Sequence, residues 1–171
     1  MGGVNIVLTG FMATGKSEIG HEISQILNMV FVDTDIIIEK NVGMKISEIF
    51  AVKGEKYFRD KESEVVLEVS GCDNCVISTG GGIVLRQTNI DNLRRNGKII
   101  NLKTSINKII ERVVGKTDRP LLNVQDKESE IKRLLETRQS YYEKCDFAFD
   151  TTDTTPREAA EKIIEILGKS K

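Results

Sequence analysis

At 171 residues, with 39% hydrophobic and 30% charged residues, the chain has the composition of one ordinary globular domain. Its 25 Lys and Arg against 26 Asp and Glu leave a net charge of −1, which argues against the basic field of a nucleic-acid binder and against a polybasic membrane patch. No apolar run approaches the ~20 residues of a membrane span. No signal-peptide pattern precedes the first strand, and a cytoplasmic protein, most simply a monomer, is expected.

In chain order, nearly continuous β-branched runs alternate with helical patterns. The runs are Val4–Leu8, Val30–Val32, Val76–Ser78, Lys98–Leu102 and Phe147–Phe149. Continuous rather than alternating apolarity predicts parallel strands buried on both faces. Between them, Ile19, Ile23, Ile26 and Leu27 repeat at helical spacing, as do Val65, Val66 and Val69, and then Ile106, Ile109, Ile110 and Val113. The last helix is punctuated by Thr155 as N-cap, Pro156 at its first position, Glu158 completing a capping box and Gly168 as its stop. Five strands alternating with helices predict a single α/β domain of three layers over residues 1–171. Two stretches break the alternation: residues 34–62, which insert extra helix, and an irregular stretch at about 113–125 containing Arg119-Pro120. Insertions at the C-terminal edge of such a sheet are where acceptor-binding pieces and lids belong.

The chemistry begins at Gly10-Phe11-Met12-Ala13-Thr14-Gly15-Lys16-Ser17, a G-x-x-x-x-G-K-[ST] sequence between a strand and a helix. Its backbone N–H groups and the helix N-terminus suit phosphates. Lys16 is expected to reach the β- and γ-phosphates, and Ser17 to ligate Mg²⁺. This reading says nucleotide, and does not by itself say kinase.

At the end of the second strand stand Asp33, Thr34 and Asp35. Asp33 is placed to serve Mg²⁺ opposite Ser17, and Asp35 to accept the hydrogen bond of an acceptor hydroxyl and orient it. A cap on the next helix is an equally good use of Asp33 or Thr34. Arg59 and Arg138 are suited to fork a carboxylate, although helix arginines more commonly pair on a solvated face, here with Glu62 or Glu136. Gly80, Gly81 and Gly82 follow a strand and let main chain approach a ligand. Arg119 in the irregular stretch is placed to stabilise a transferring phosphoryl group, and Arg112, seven residues earlier, to stack on adenine. The three cysteines are an odd count for a disulfide framework, and Cys72-Asp73-Asn74-Cys75 reads as a turn entering a strand. His21 is given no site role.

Taken together, these motifs resemble the shikimate kinase family over essentially the whole chain: the P-loop, Asp33-Thr34-Asp35, Gly54-Glu55 with Phe58-Arg59 and Glu62, Gly80-Gly81-Gly82, Arg119-Pro120-Leu121-Leu122, and Arg138 followed by tyrosine. The resemblance implies a P-loop fold of the nucleoside-monophosphate-kinase type, with a five-stranded parallel sheet in the order 2-3-1-4-5. It implies transfer of the ATP γ-phosphoryl group, with Mg²⁺, to the 3-hydroxyl of shikimate in aromatic amino-acid biosynthesis. Lys16, Asp35 and Arg119 would be catalytic. Gly10, Ala13, Thr14, Gly15, Lys16, Ser17, Glu18, Arg112, Arg119 and Thr154 would bind nucleotide. Asp35, Phe58, Arg59, Gly80, Gly81, Gly82 and Arg138 would bind shikimate, with Glu62 orienting Arg59. Ser17 and Asp33 would serve the metal.

Three positions depart from the family's usual pattern: Ala13 stands where a further P-loop glycine is common, Glu18 where threonine is, and Thr154 where a longer polar or basic residue is. The alternatives are a kinase of the same fold acting on a sugar acid or a nucleoside monophosphate, and a nucleotide-binding module without turnover. The glycine run and the paired arginines argue against the first; the presence of Lys16, Asp35 and both arginines argues against the second.

Overall fold

The computed structural model describes residues 4–113 and 126–169. Five strands form one sheet: β1 Asn5–Gly10, β2 Val30–Asp33, β3 Cys75–Ser78, β4 Gly97–Lys103 and β5 Phe147–Asp150. The order is β2-β3-β1-β4-β5 and every pairing is parallel, as the family resemblance implies. Parallel strands need crossovers, and helices supply them: α1 Lys16–Leu27, α2 Thr34–Val42, α3 Ile46–Val69, α4 Gln87–Arg94, α5 Ile106–Val113, α6 Lys127–Tyr142 and α7 Pro156–Lys169.

Side-chain alternation along the central strands divides the core in two. Ile6 and Leu8 of β1, Val76 of β3, and Ile100 and Leu102 of β4 pack with α1 and α7. Val7, Ile77 and Ile99 point the other way, into a larger cluster with α2 to α6. The result is the expected three layers. The expectation of strands buried on both faces holds for β1 and β3, which are buried throughout. It fails for β2 and β5, whose residues are half-buried or exposed. The strand order explains the difference: both lie at the sheet's edges, where Val30 is 61% exposed.

Several local details decide where the site falls. Helix α3 is one element to Val69 only by hydrogen bonding, because Gly54 sits at φ 81, ψ 168, a region essentially closed to side-chain-bearing residues. The resulting kink re-aims the second segment, so that Phe58, Arg59 and Glu62 turn inward and are buried. Helix α7 starts as the sequence predicts, with Thr155 N–H donating to Glu158 at 2.8 Å and Glu158 N–H donating back to Thr155 Oγ1 at 3.3 Å. It does not stop at Gly168, which stays helical and lacks the left-handed backbone of a terminating glycine. Helix α4, eight residues between the glycine run and β4, has too short an apolar period to be visible in the sequence.

Candidate active site

All the C-terminal ends of a parallel sheet lie on one edge, and the site is built there. Residues 10–15 lead from β1 into α1. Thr14 Oγ1 donates to the Phe11 carbonyl at 2.9 Å, and Thr151 Oγ1, from the loop after β5, donates to the Thr14 carbonyl at 3.1 Å. The loop is therefore fixed from within and from the neighbouring strand end. Helix α1 has no side-chain N-cap, so its first-turn N–H groups face the cleft as anion donors. The Lys16 ammonium donates to the carbonyls of Gly10 at 3.0 Å and Phe11 at 2.8 Å, which holds it over the loop.

The cleft above this loop has a volume of about 490 Å³. Ala13, Thr14, Gly15, Lys16, Ser17 and Glu18 line its floor, and Asp33, Asp35, Arg112 and Thr154 its walls. Gly10 does not line it and takes part through its carbonyl. Arg112 donates to the Ala13 carbonyl at 2.7 Å, so it reaches the P-loop from α5. Ala13 has φ 61, the left-handed conformation that glycine adopts without strain.

Asp33 caps α2 with one carboxylate oxygen and faces Ser17 with the other. One oxygen caps α2, accepting from the N–H of Asp35 at 3.0 Å and of Ile36 at 3.4 Å. The other accepts from Ser17 Oγ at 2.9 Å, with Ser78 Oγ 3.4 Å from Ser17 Oγ. A hydroxyl and a carboxylate oxygen this close, at the phosphate end of a cleft, form the hard-oxygen donor set that suits Mg²⁺.

Beside the cleft lies a second cavity, lined by Asp35, Phe58, Arg59, Gly80, Gly81, Gly82 and Arg138, with Met12, Phe50 and Glu62. Every acceptor residue expected from the sequence is thus brought into one place. Neither arginine is on a solvated face: Arg59 is 8% and Arg138 6% exposed. Arg59 pairs with Glu62, itself fully buried, through two hydrogen bonds of 2.9 and 3.1 Å, and with Glu55 at 3.1 and 3.2 Å. Burial pushes the Glu62 carboxyl up, against the pull of Arg59, Arg86 and Arg138. Burial alone would lower the Arg59 guanidinium, but Glu62 and Glu55 raise it above its ordinary value. Arg86, at the start of α4, donates to the Arg59 carbonyl at 2.9 Å and to Asp60 at 2.7 Å, which secures this turn of α3. The glycine run is needed for space: a Cβ on Gly82 would overlap the Arg59 guanidinium, and one on Gly80 would lie 2.8 Å from Asp35 Oδ1.

Sequence reasoning gave Glu55 and Tyr142 no role of their own here and missed Arg86. Glu55 and Tyr142 carried a signal, standing four residues from Arg59 and Arg138 at helical spacing; Arg86 carried none. Arg119, and the stretch at about 113–125 apart from Val113, lie outside the described residues. β3 starts at Cys75 and the turn before it passes through Asn74 at φ 58, as the sequence suggests for this stretch. His21 stacks on Phe31 at 3.8 Å between ring centres. No helix of the described residues is long and apolar enough to cross a membrane.

Comparison with known proteins adds an independent line. The family model described as shikimate kinase matches residues 12–168. A shikimate kinase of Thermodesulfovibrio yellowstonii is 49% identical over 161 residues, 94% of this chain and 93% of the relative. One of Caldanaerobacter subterraneus subsp. tengcongensis is 46% identical, with 98% of each chain covered. Among solved structures, the shikimate kinase from Acinetobacter baumannii in complex with shikimate superposes with a TM-score of 0.96 at 31% identity, covering 99% of this chain and 95% of that one.

Proposed function

The chain belongs to the shikimate kinase family, and we propose that it transfers the γ-phosphoryl group of ATP to the 3-hydroxyl of shikimate. One observation carries the reading: Asp35, with Met12 and Gly81, lines both the phosphate cleft and the arginine cavity. A carboxylate shared by the two spaces stands where an acceptor hydroxyl would meet a terminal phosphate.

The acceptor chemistry follows from the cavity. Shikimate carries one carboxylate and three hydroxyls. Arg138 and Arg59 receive the carboxylate, and Glu62 and Glu55 hold Arg59 in position for it. Asp35 accepts the hydrogen bond of the attacking hydroxyl and takes its proton as the bond to phosphorus forms, a role worth about 10²–10⁴ in rate. The first turn of α1, the loop N–H groups and Lys16 hold the β- and γ-phosphates, and ADP leaves with the charge so stabilised. Ser17 and Asp33 would hold Mg²⁺, which would neutralise phosphate charge. Arg112 and Thr154 also line the cleft and are the residues assigned to adenine.

The test is ADP release by the purified protein with MgATP, with and without shikimate, and with gluconate and nucleoside monophosphates as competing acceptors. Shikimate-dependent release, with shikimate 3-phosphate identified by mass, is the expected outcome. Preference for another acceptor would overturn the substrate. ATP binding without release on any acceptor would indicate a non-catalytic module. Asp35→Asn is expected to lower turnover at least about 100-fold while ATP affinity stays within a few-fold.

A further inference from the structure

We propose that Tyr142 is a positioning residue for the acceptor: its hydroxyl fixes the peptide joining Gly81 to Gly82, aiming the Gly82 N–H into the cavity that holds Arg59 and Arg138. The inference rests on the acceptor reading above and assigns work to a residue outside the binding set.

Tyr142 ends helix α6 and is 6% exposed. Its hydroxyl donates to the Gly81 carbonyl at 2.5 Å, a contact between residues 61 apart in sequence. Tyr142 does not line the acceptor cavity; it lines the neighbouring space between β4, α5 and α6. It therefore draws the Gly81 carbonyl away from the acceptor side. The C=O and N–H of a trans peptide point in opposite directions, so the Gly82 N–H faces the acceptor side. Among the described residues no acceptor takes that N–H, although the loop's other end is tied by the Gly80 N–H to Thr34 Oγ1 at 3.3 Å. A buried N–H with no protein partner, in a loop lining a cavity, is a donor for a ligand.

The same tyrosine couples this donor to the carboxylate clamp. Arg138 lies one helical turn before Tyr142 on the same face of α6, and its guanidinium interacts with the Tyr142 hydroxyl. Tyr142 thus adjoins Arg138 as well as the glycine run. Without the hydroxyl, the Gly81–Gly82 peptide is free to rotate and present its carbonyl, a poor neighbour for an anionic acceptor.

The experiment is calorimetric titration of shikimate and of ATP, separately, into wild-type protein and Tyr142→Phe, which keeps the ring in the core. The expected result is about a tenfold weaker shikimate Kd, the loss of one aligned hydrogen bond, with ATP affinity changed less than about twofold. Steady-state kinetics should show the same division, the KM for shikimate rising more than the KM for ATP. A merely structural role would weaken both ligands alike, and that result overturns the proposal, as does a shikimate Kd within twofold of wild type. The thermal midpoint reports folding separately and is expected to fall by no more than about 5 °C. Wild-type protein that binds ATP but not shikimate would instead remove the acceptor reading itself, and the proposal with it.

Discussion

Ser17 Oγ donates to Asp33 Oδ2 at 2.9 Å, joining the first turn of α1 to the end of β2, while Asp33 Oδ1 caps α2 through the Asp35 N–H at 3.0 Å. One carboxylate thus fixes the helix that carries Asp35 and supplies an anionic oxygen beside the P-loop hydroxyl. The two roles separate in Asp33→Asn. Asparagine caps a helix about as well as aspartate, so stability should change by no more than about 0.5 kcal/mol. The charge facing Ser17 is lost, and the Mg²⁺ concentration for half-maximal turnover should rise about tenfold or more. Unchanged Mg²⁺ dependence in a well-folded variant would place the metal elsewhere.

Gly82 and Arg59 meet so closely that no side chain fits between them. Arg59 cannot yield cheaply, because Glu62 and Glu55 hold both sides of its guanidinium and Arg86 holds its carbonyl. Gly82→Ala is therefore expected to displace the guanidinium, or the glycine run itself, and to raise the KM for shikimate about tenfold or more. The KM for ATP should move little, since Gly82 does not line the phosphate cleft. A variant with wild-type KM for shikimate would show that Arg59 does not receive the acceptor.

Residues 10–17 are legible in sequence because a P-loop is contiguous and acts through its own backbone. The three layers are legible because apolar runs and helical periods alternate. Strand order is not local, and only the family resemblance supplied it. Edge and central strands look alike in sequence: Val30–Val32 is as apolar as Val76–Ser78, yet Val30 is exposed and Val76 buried. Arg59 shows the same limit in the site. Acids four residues before and three after it resemble a surface ladder, and only the packing of α3 against the sheet shows that the ladder is buried. The contact of Tyr142 with Gly81 spans 61 positions and left no local trace.

Ala13 is the one P-loop residue whose identity works against its conformation. At φ 61 it stands in the left-handed region, and the Arg112 guanidinium secures its carbonyl at 2.7 Å. An alanine there costs about 1–2 kcal/mol, of which a glycine's greater freedom when unfolded takes back part. Ala13→Gly should therefore stabilise the protein by about 1 kcal/mol, raising the midpoint by about 2–4 °C. Equilibrium urea unfolding measures this directly. A destabilised variant would mean that the Ala13 methyl, which packs against the larger core cluster, contributes more than the backbone strain removes.

Tyr142 also makes a prediction in pH. Burial pushes its hydroxyl from 10.0 up to about 12, with Glu62 adding to the rise and Arg138 and Arg59 opposing it. A raised value means that the fold prefers the neutral phenol. The associated stability is fully present below pH 10 and is lost as pH climbs towards 12. The full span is roughly 3 kcal/mol, and about 1.4 kcal/mol of it is gone by pH 11. Lysines and the other tyrosines titrate in the same range, so the useful quantity is wild type minus Tyr142→Phe, measured by urea unfolding from pH 8 to 11. That difference should be flat to about pH 9.5 and then fall by about 1.4 kcal/mol. A difference that stays flat to pH 11 would mean that the hydroxyl ionises in the fold as readily as in the unfolded chain, which a buried donor to the Gly81 carbonyl could not do.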